Sequence, residues 1–586
     1  MTTKDIELLL NNASKKCGYE GDLTVSFSNL PKICDFQCNG CFKIAKLHGQ
    51  NPVQVANNII DKIDKANKDY EFSVLNGFIN IKLTDIKLSQ LANEYLQDDM
   101  AGIEKRERKQ KIVLDYGGAN VAKALHIGHL RPAIIGESLK RLYKLFGDEV
   151  IADVHLGDWG LQMGLTELQL FEDGKLDYYF QGKGEEPVIT LDMLNEAYPK
   201  ASARKNTDEE FKKKAEDWTV KIQSKQEPYY SIYKKIRAVS VEKIKQHYGE
   251  LGANFDLWYG ESDASEYIPQ ALKIIKEKGL ARESEGAIVV DVAVEGENIP
   301  IQSDKDGTRR YKNPMPPCII EKGNGAVLYA TTDIATILMR NMTIKDIDRI
   351  EYVTDARQNM HFTQVFRVCK LAGISPENQI LLHIGNGTMN GKDGKPFKTR
   401  SGDTIKLEDI IDMLVNKASV KLSANGVEFD RDTALMIGVG AMKFGDLVNN
   451  VGKDYVFDID KFLAFEGKTG PYLQYTVVRI NSILNKLDGV KGGEINIDND
   501  EMREIIKAII KLNSSYSICY REKSLSSLCS ASFDLASAFS TFYNNISVAN
   551  EKDEIRKAGY ISLLNLVKNK LMQALGVLAI EVPKKM

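Results

Sequence analysis

No run of apolar residues reaches the roughly 20 that a membrane-spanning helix needs, so no such helix is expected. The opening MTTKDIELLLNNASKKCGYE lacks a basic start, an apolar block and a small-residue cleavage site, so secretion is not expected either. Cysteine is scarce, eight in 586 residues at uneven spacing, which argues against a disulfide framework and for reduced thiols in a cytoplasm. Basic charge is not in excess: 78 Lys and Arg stand against 81 Asp and Glu, for a net charge of −3. A chain binding nucleic acid through a uniformly positive surface would be far more basic, so any phosphate contacts must come from local patches. Two common phosphate-loop patterns, G-x-G-x-x-G after a strand and G-x-x-x-x-G-K-[ST], are missing from the first nucleotide-binding-like junction.

What is present is enough chain for three or four domains. Residues 1–106 read as a small α+β unit: NPVQVANNIIDKI has apolar residues at helical spacing, and EFSVLNGFINIKL alternates around a turn as a hairpin does. The charged IEKRERKQK that follows reads as a solvated linker. KIVLDY is then a buried strand, GGANVAKALHIGH a loop, and a helix follows with Ile134, Ile135, Leu139, Leu142, Leu145 and Phe146 on one apolar face. DEVIADVHLGDWG contains a second strand, which makes a β-α-β unit and the start of a parallel sheet. RIEYVTDA and QILLHIGNG are further strand candidates, while residues from about 165 to 285 read as more helical insertions. Strand signals nearly vanish from 406 onward, where Leu528, Leu535, Phe539 and Phe542 mark one helix face. The expected fold is thus multi-domain α/β plus α: a Rossmann-type parallel-sheet domain with insertions over 107–405, preceded by the α+β unit and followed by a helical region over 406–586.

The chemistry points to the strand–loop–helix junction. His126 and His129 flank Ile127 and Gly128 where the helix begins, and Lys123 lies one turn upstream. A helix N-terminus offers free N–H groups and the positive end of its dipole, which favours phosphate. Gly128 has no side chain to obstruct a nucleotide approaching the two imidazoles.

NVAKALHIGHLRPAIIGE resembles the HIGH motif of class I aminoacyl-tRNA synthetases, and in detail that of the arginyl-tRNA synthetases. HLGDWGLQMG, LYATTD, QNMHFTQVF, GKPFKTRSGDTIKLEDI, IGVGAMKFGDL, EGKTGPYLQYTVVRI and the ending VLAIEVPKKM resemble further segments of that family, in order from 107 to 586. The resemblance implies activation of arginine with ATP, accompanied by Mg2+, and transfer of arginine to the terminal adenosine of its tRNA. It implies an N-terminal domain touching the tRNA and an all-helical anticodon-binding domain over about 470–586. It implies that His126, His129 and Lys123 serve catalysis, with Lys395 and Lys398 as pyrophosphate contacts. The family's KMSKS string is absent; GKPFKTRSG stands in its place, with Pro396 where the first lysine would be and Arg400 as a further cation. Ala119, Asn120, His126, Gly128, His129, His361 and Lys398 would then bind ATP. Asn120, Asp153, Glu261, Tyr329, Asp333 and Gln358 would bind arginine, the acids facing a guanidinium whose paired donors lysine cannot copy. Val154 occupies a site where many relatives have asparagine, so Asp153 or Asn120 is expected to substitute for it. Tyr472, Tyr475 and Arg479 would contact tRNA, whose unstacked anticodon bases are read by aromatic stacking. The expected partners are tRNA(Arg), arginine and ATP, with no membrane, acting as a cytoplasmic monomer.

One feature competes with this reading. CDFQCNGC places Cys34, Cys38 and Cys41 at C-x3-C-x2-C, the spacing of an iron–sulfur ligand set. Relatives carry a similar segment with small residues at the first and third positions, so the triad is expected to be a helix start, without a protein-bound metal. A nucleotidyl transferase of other specificity, or a non-catalytic RNA-binding derivative, are the remaining alternatives; the latter would be expected to have lost the histidines.

Overall fold

The computed structural model describes every residue except 1–2, 31–32, 65–66, 298, 304–308, 313, 324–326, 396–404, 425, 427, 429 and 488. The first module is an antiparallel sheet in the order Val25–Phe27, Phe36–Cys38, Phe78–Leu83, Tyr70–Leu75. The expected hairpin forms around Asn76 and Gly77, both left-handed at φ 52° and 86°, the geometry a two-residue turn between twisted strands requires. Helices Thr3–Lys16, Cys41–His48, Pro52–Ile60 and Asp85–Gln97 accompany it. Asn51 caps the third, its side chain accepting from Val53 N at 2.8 Å, with Pro52 at the first turn where no N–H is missed.

Cys41 does open a helix. Burial pushes the thiols of Cys38 and Cys41 up to about 11 and about 12, so neither is a thiolate at neutral pH. Cys34 Sγ instead lies 3.2 Å from Ser28 Oγ. Among the described residues the three sulfurs form no ligand cluster.

The second module is a parallel sheet in the order Ile380–Asn386, Arg349–Asp355, Lys111–Tyr116, Glu149–Asp153. All four strands are those marked in the sequence, and their apolar runs suit a sheet covered on both faces. The chain leaves Lys111–Tyr116 to one side and returns on the other, so a crevice opens at the carboxyl ends between that strand and Arg349–Asp355. Helix Ile127–Leu145 starts at this crevice, and most of it is buried rather than only the one apolar face expected.

Helices Leu161–Glu172, Leu191–Arg204, Glu209–Gln223 and Tyr229–Glu250 form the helical insertion, with a satellite core of Leu165, Leu168, Ala201, Phe211, Ala215 and Trp218. The sequence reading did not mark the small antiparallel sheet after it: Ala281–Ser284, Ala287–Val290 and Cys318–Glu321. Its strands are four residues long, too short to show a period.

Beyond 406 the one strand among the described residues is Tyr455–Val456, which pairs with Met389–Asn390. Helices Leu407–Ala424 and Arg431–Leu447 lie against Ile127–Leu145, and Arg131 Nε meets Asp446 Oδ1 at 2.7 Å in the interior. The third module comprises Gly470–Lys486, Asp500–Glu522, Ser526–Asn545 and Glu554–Val577; Leu528, Leu535, Phe539 and Phe542 are fully buried in its core. The charged linker is exposed at Lys105, Glu107, Arg108 and Lys109, yet it is also fastened at two points. Arg106 lies 4.0 Å over the Tyr520 ring and Arg108 pairs with Asp348 at 2.6 Å.

Candidate active site

Strand Lys111–Tyr116 runs into Gly117 and Gly118, at φ 104° and 58°, a turn closed to residues with a side chain. The loop then pairs with the end of the next strand's extension: Gly157 N donates to Ala119 O at 2.9 Å and Val121 N to Gly157 O at 3.0 Å. Asn120 lies across Gly157, where an added Cβ would come within 2.4 Å of its Oδ1. Ala122 is left-handed at φ 63°, held by its N–H bond to Ser240 Oγ at 3.1 Å. Ala119 is fully buried and its carbonyl is occupied by Gly157 N, so it lies beneath the crevice rather than on its surface. Lys123 follows, its ammonium 4.8 Å over the Tyr198 ring of the helical insertion.

The two histidines tie the helix start into a reciprocal cap. His126 Nδ1 accepts from Gly128 N, and His129 Nδ1 accepts from the N–H of His126, both at 3.1 Å. Because each Nδ1 is an acceptor, each neutral ring carries its proton on Nε2. The ring centroids are 4.0 Å apart. Burial, then the neighbouring imidazole, lowers His129 to about 3; burial, then Lys123, lowers His126. The pair is therefore neutral at physiological pH and presents two N–H donors beside a helix N-terminus. An added Cβ at Gly128 would lie 2.9 Å from His126 Cε1, so its bareness also makes room for the imidazole.

The segment after the basic loop is bound to this same element. Ile127 N donates to Ile405 O at 3.2 Å and Leu407 N to Leu125 O at 2.9 Å. Lys395, at the loop's other end, is exposed, its N–H bonded to Asp393 Oδ1 at 3.1 Å. Pro396, Lys398 and Arg400 lie outside the described residues.

The expected arginine-facing groups fall into two sets. Asp333, on helix Tyr329–Thr343, has Oδ2 2.5 Å from Nε2 of His361, on helix Asn359–Ala372. Glu261 begins the short helix Glu261–Ser265, and burial raises its carboxyl, with Asp333 adding in the same direction and His155 opposing. Tyr329 is 74% exposed at its helix start, and Gln358 is exposed in the turn after strand Arg349–Asp355. Asp153 stands apart. It is fully buried, with Oδ2 2.6 Å from Arg340 Nη2, and the same nitrogen is 2.6 Å from Asp115 Oδ2. Asp153 therefore does not line the crevice, contrary to expectation, because a desolvated carboxylate is held by its cation. Asp115, Asp153 and His155 are the one group among the described residues whose geometry could hold a metal ion, and the Arg340 guanidinium already bridges both carboxylates.

In the third module Arg479 lies 4.9 Å over Tyr475 and 4.8 Å over Tyr543, with Nη2 donating to Tyr475 Oη at 3.0 Å. Tyr543 is 41% exposed. Tyr472 is turned inward, its hydroxyl 2.9 Å from Ser540 Oγ.

Three site residues escaped the sequence reading. His155 has φ 41° and faces both Glu261 and the buried aspartates. His383 is stacked on Phe362 at 4.8 Å, bonded to Thr354 Oγ1 at 2.8 Å, and lowered to about 4 by burial. Arg340 is fully buried. The first two sit in segments already singled out; nothing local marks Arg340, whose carboxylate partners lie 187 and 225 residues away.

Residues 90–459 match the family model for the catalytic domain of class I tRNA synthetases (R), 473–586 that for the DALR anticodon binding domain, and 4–83 that for the arginyl tRNA synthetase N terminal domain. The chain is 41% identical over 587 residues to the arginine–tRNA ligase of Agathobacter rectalis, covering 96% of each chain. It is 38% identical over 598 residues to that of Alkaliphilus oremlandii, covering 100% and 99%. The arginyl-tRNA synthetase structures from Plasmodium falciparum and Thermus thermophilus share the fold with TM-scores of 0.81 and 0.80, at 23% and 20% identity over the full length of both chains. The chain belongs to the arginyl-tRNA synthetases, class I ligases that use ATP to join arginine to tRNA.

Proposed function

We propose that the neutral His126–His129 pair is the centre of adenylate formation. Attack of the arginine carboxylate on the α-phosphorus breaks its bond to the bridging oxygen, and pyrophosphate leaves. This step needs no base, since the carboxylate is already ionised; it needs donors where charge gathers on the five-coordinate phosphorus. Two Nε2–H groups and the Lys123 ammonium supply them, and the helix start adds the positive end of its dipole. Neutral histidines suit the role because they donate without having to lose a proton, at any pH above their lowered titration range.

In this reading ATP enters with Mg2+ carried on its phosphates. Its adenosine and phosphates lie along Asn120, Gly128 and His361, over the buried Ala119, and Lys395 with Lys398 neutralises the departing pyrophosphate. Asp333 and Glu261 receive the arginine guanidinium or ammonium, with Tyr329 and Gln358 at the entrance. Asp153 acts at one remove, holding Arg340 and the backbone at His155, whose N–H is 3.3 Å from Asp153 Oδ1. The terminal adenosine of tRNA then attacks the carbonyl of the adenylate through its 2′-hydroxyl, and AMP leaves. Tyr475 and Arg479, joined by Tyr543, form the stacking platform for unpaired anticodon bases, with Tyr472 as their inner support. The catalytic unit extends past 406, because helices Leu407–Ala424 and Arg431–Leu447 pack on the histidine-bearing helix. One chain carries every module the reaction needs, which supports a monomer, and eight unbridged cysteines support a cytoplasmic setting.

The reciprocal histidine cap is the observation that carries this reading. Its test is His129→Ala in steady-state aminoacylation: turnover falls by about 100-fold or more, the cost of one transition-state donor, while KM for arginine changes little. Unchanged turnover removes His129 from the centre.

A further inference from the structure

Asp333 is not waiting empty for its substrate. Its Oδ2 lies 2.5 Å from His361 Nε2, and the two side chains retain only 19% and 33% exposure. They come from different helices, Tyr329–Thr343 and Asn359–Ala372, that pack side by side. An imidazole N–H on a carboxylate oxygen makes the same bond that a guanidinium N–H would make there. Resting on the assignment of Asp333 to the guanidinium, we infer that His361 is a built-in occupant of the arginine subsite, which arginine must displace in order to bind. Arginine succeeds because its planar fork brings paired donors where the imidazole brings one. Released from Asp333, His361 is free to turn to the adenosine side, so filling of the amino-acid subsite and completion of the nucleotide subsite become one event.

The charge on the occupant sets how hard it holds. An imidazolium on Asp333 is a charge-assisted bond and repels an incoming guanidinium, whereas a neutral imidazole is a weaker occupant. Several titratable groups face the pair. Cys318, on Cys318–Glu321, is pushed up to about 12, and the Tyr352 phenol is raised further, both by burial. Cys369, on the helix of His361, is likewise raised by burial. His383, facing His361 from the neighbouring strand, is lowered to about 4. Glu261, raised by burial, is the remaining acid beside Asp333. Between about pH 6 and about pH 8, imidazole is the side chain among these types whose charge ordinarily changes.

The test compares KM for arginine in aminoacylation near pH 6 and near pH 8 in the wild type, His361→Gln and Asp333→Asn. Gln keeps a neutral N–H donor and removes the ionisable ring. The wild-type KM is expected to be several-fold higher near pH 6 than near pH 8, since a charged occupant holds Asp333 more firmly than a neutral one. His361→Gln is expected to bring that ratio to about one, with a kcat profile that does not follow the change in KM. A wild-type ratio of one, or a ratio that survives His361→Gln, overturns the inference. Asp333→Asn should raise KM for arginine at both pH values. If it raises KM while the His361→Gln ratio stays wild-type, displacement alone fails; if it leaves KM unaltered, the assignment of Asp333 fails and displacement with it.

Discussion

His126 and His129 show how far the environment can move a side chain from its solution behaviour. A free imidazole is partly charged near pH 6, but these two are kept neutral by burial and by the positive charges around them. That state has a consequence for stability. The folded-state value of His129 lies near 3, below its ordinary 6.5, so the unfolded chain binds the proton first as pH falls. The contribution of the neutral, buried ring is complete above about pH 6.5 and is lost progressively as the pH falls toward about 3. Between pH 6.5 and 5 the loss from His129 alone is about 2 kcal/mol, at roughly 1.4 kcal/mol per pH unit. Thermal melts at neutral and mildly acid pH check this: the Tm of the wild type should drop more steeply with acid than that of His129→Gln. Equal slopes would mean that His129 is not held neutral. Histidine identity and spacing were legible from the sequence here, because the cap is built from residues within three positions of one another. Asp153 was misplaced because a carboxylate's partner decides its job, and Arg340 is too distant along the chain to be seen.

At the scale of the element, helix Ile127–Leu145 carries the site at one end and is fixed along its length by what packs on it. Arg131, one turn beyond the cap, is almost fully buried against Asp446, and its Nη1 donates to Lys453 O at 3.0 Å. Asp446 is raised by burial, opposed by Arg131, so the carboxylate depends on that guanidinium to stay charged. Replacing Arg131 with Met leaves an unpaired acid in the interior and should destabilise the fold by about 3–5 kcal/mol, measured by urea unfolding at neutral pH. The double change Arg131→Met with Asp446→Leu should recover much of that loss, since a well-packed apolar pair removes the stranded charge. No loss in the single variant would contradict the pairing. Strands such as Lys111–Tyr116 were legible because a parallel, doubly covered sheet demands continuous apolar runs. The strands Ala281–Ser284 and Ala287–Val290 were not, because runs of only four residues are too short to show a period.

Across the whole molecule, the far end of that same helix is gripped by the third module. Tyr520 inserts between Tyr143 and Phe146 at ring distances of 4.9 and 5.1 Å, and its hydroxyl bonds Asp148 Oδ2 at 2.5 Å. Arg106, Lys523 and Arg349 surround the ring at 4.0, 4.5 and 5.4 Å. Arg141 adds a second grip, donating to Gly576 O at 3.1 Å. The first module joins the third through Asn93 and Ile495, which exchange bonds at 3.0 Å, and through Lys507 and Asp35 at 3.0 Å. Such seams have no sequence signature; Tyr520 reads as one more tyrosine on a helix. Tyr520→Ala should destabilise the assembled chain by about 3–5 kcal/mol, and Tyr520→Phe by about 1–3, seen as a graded fall in Tm. A Tyr520→Ala protein melting like the wild type would contradict the grip. The central claim is that this architecture activates arginine at a neutral histidine pair. It is tested most directly by ATP–pyrophosphate exchange with each amino acid, with and without tRNA. The account predicts exchange with arginine, tRNA being required for full rate, and its near-abolition in His129→Ala; exchange with another amino acid but none with arginine would contradict it.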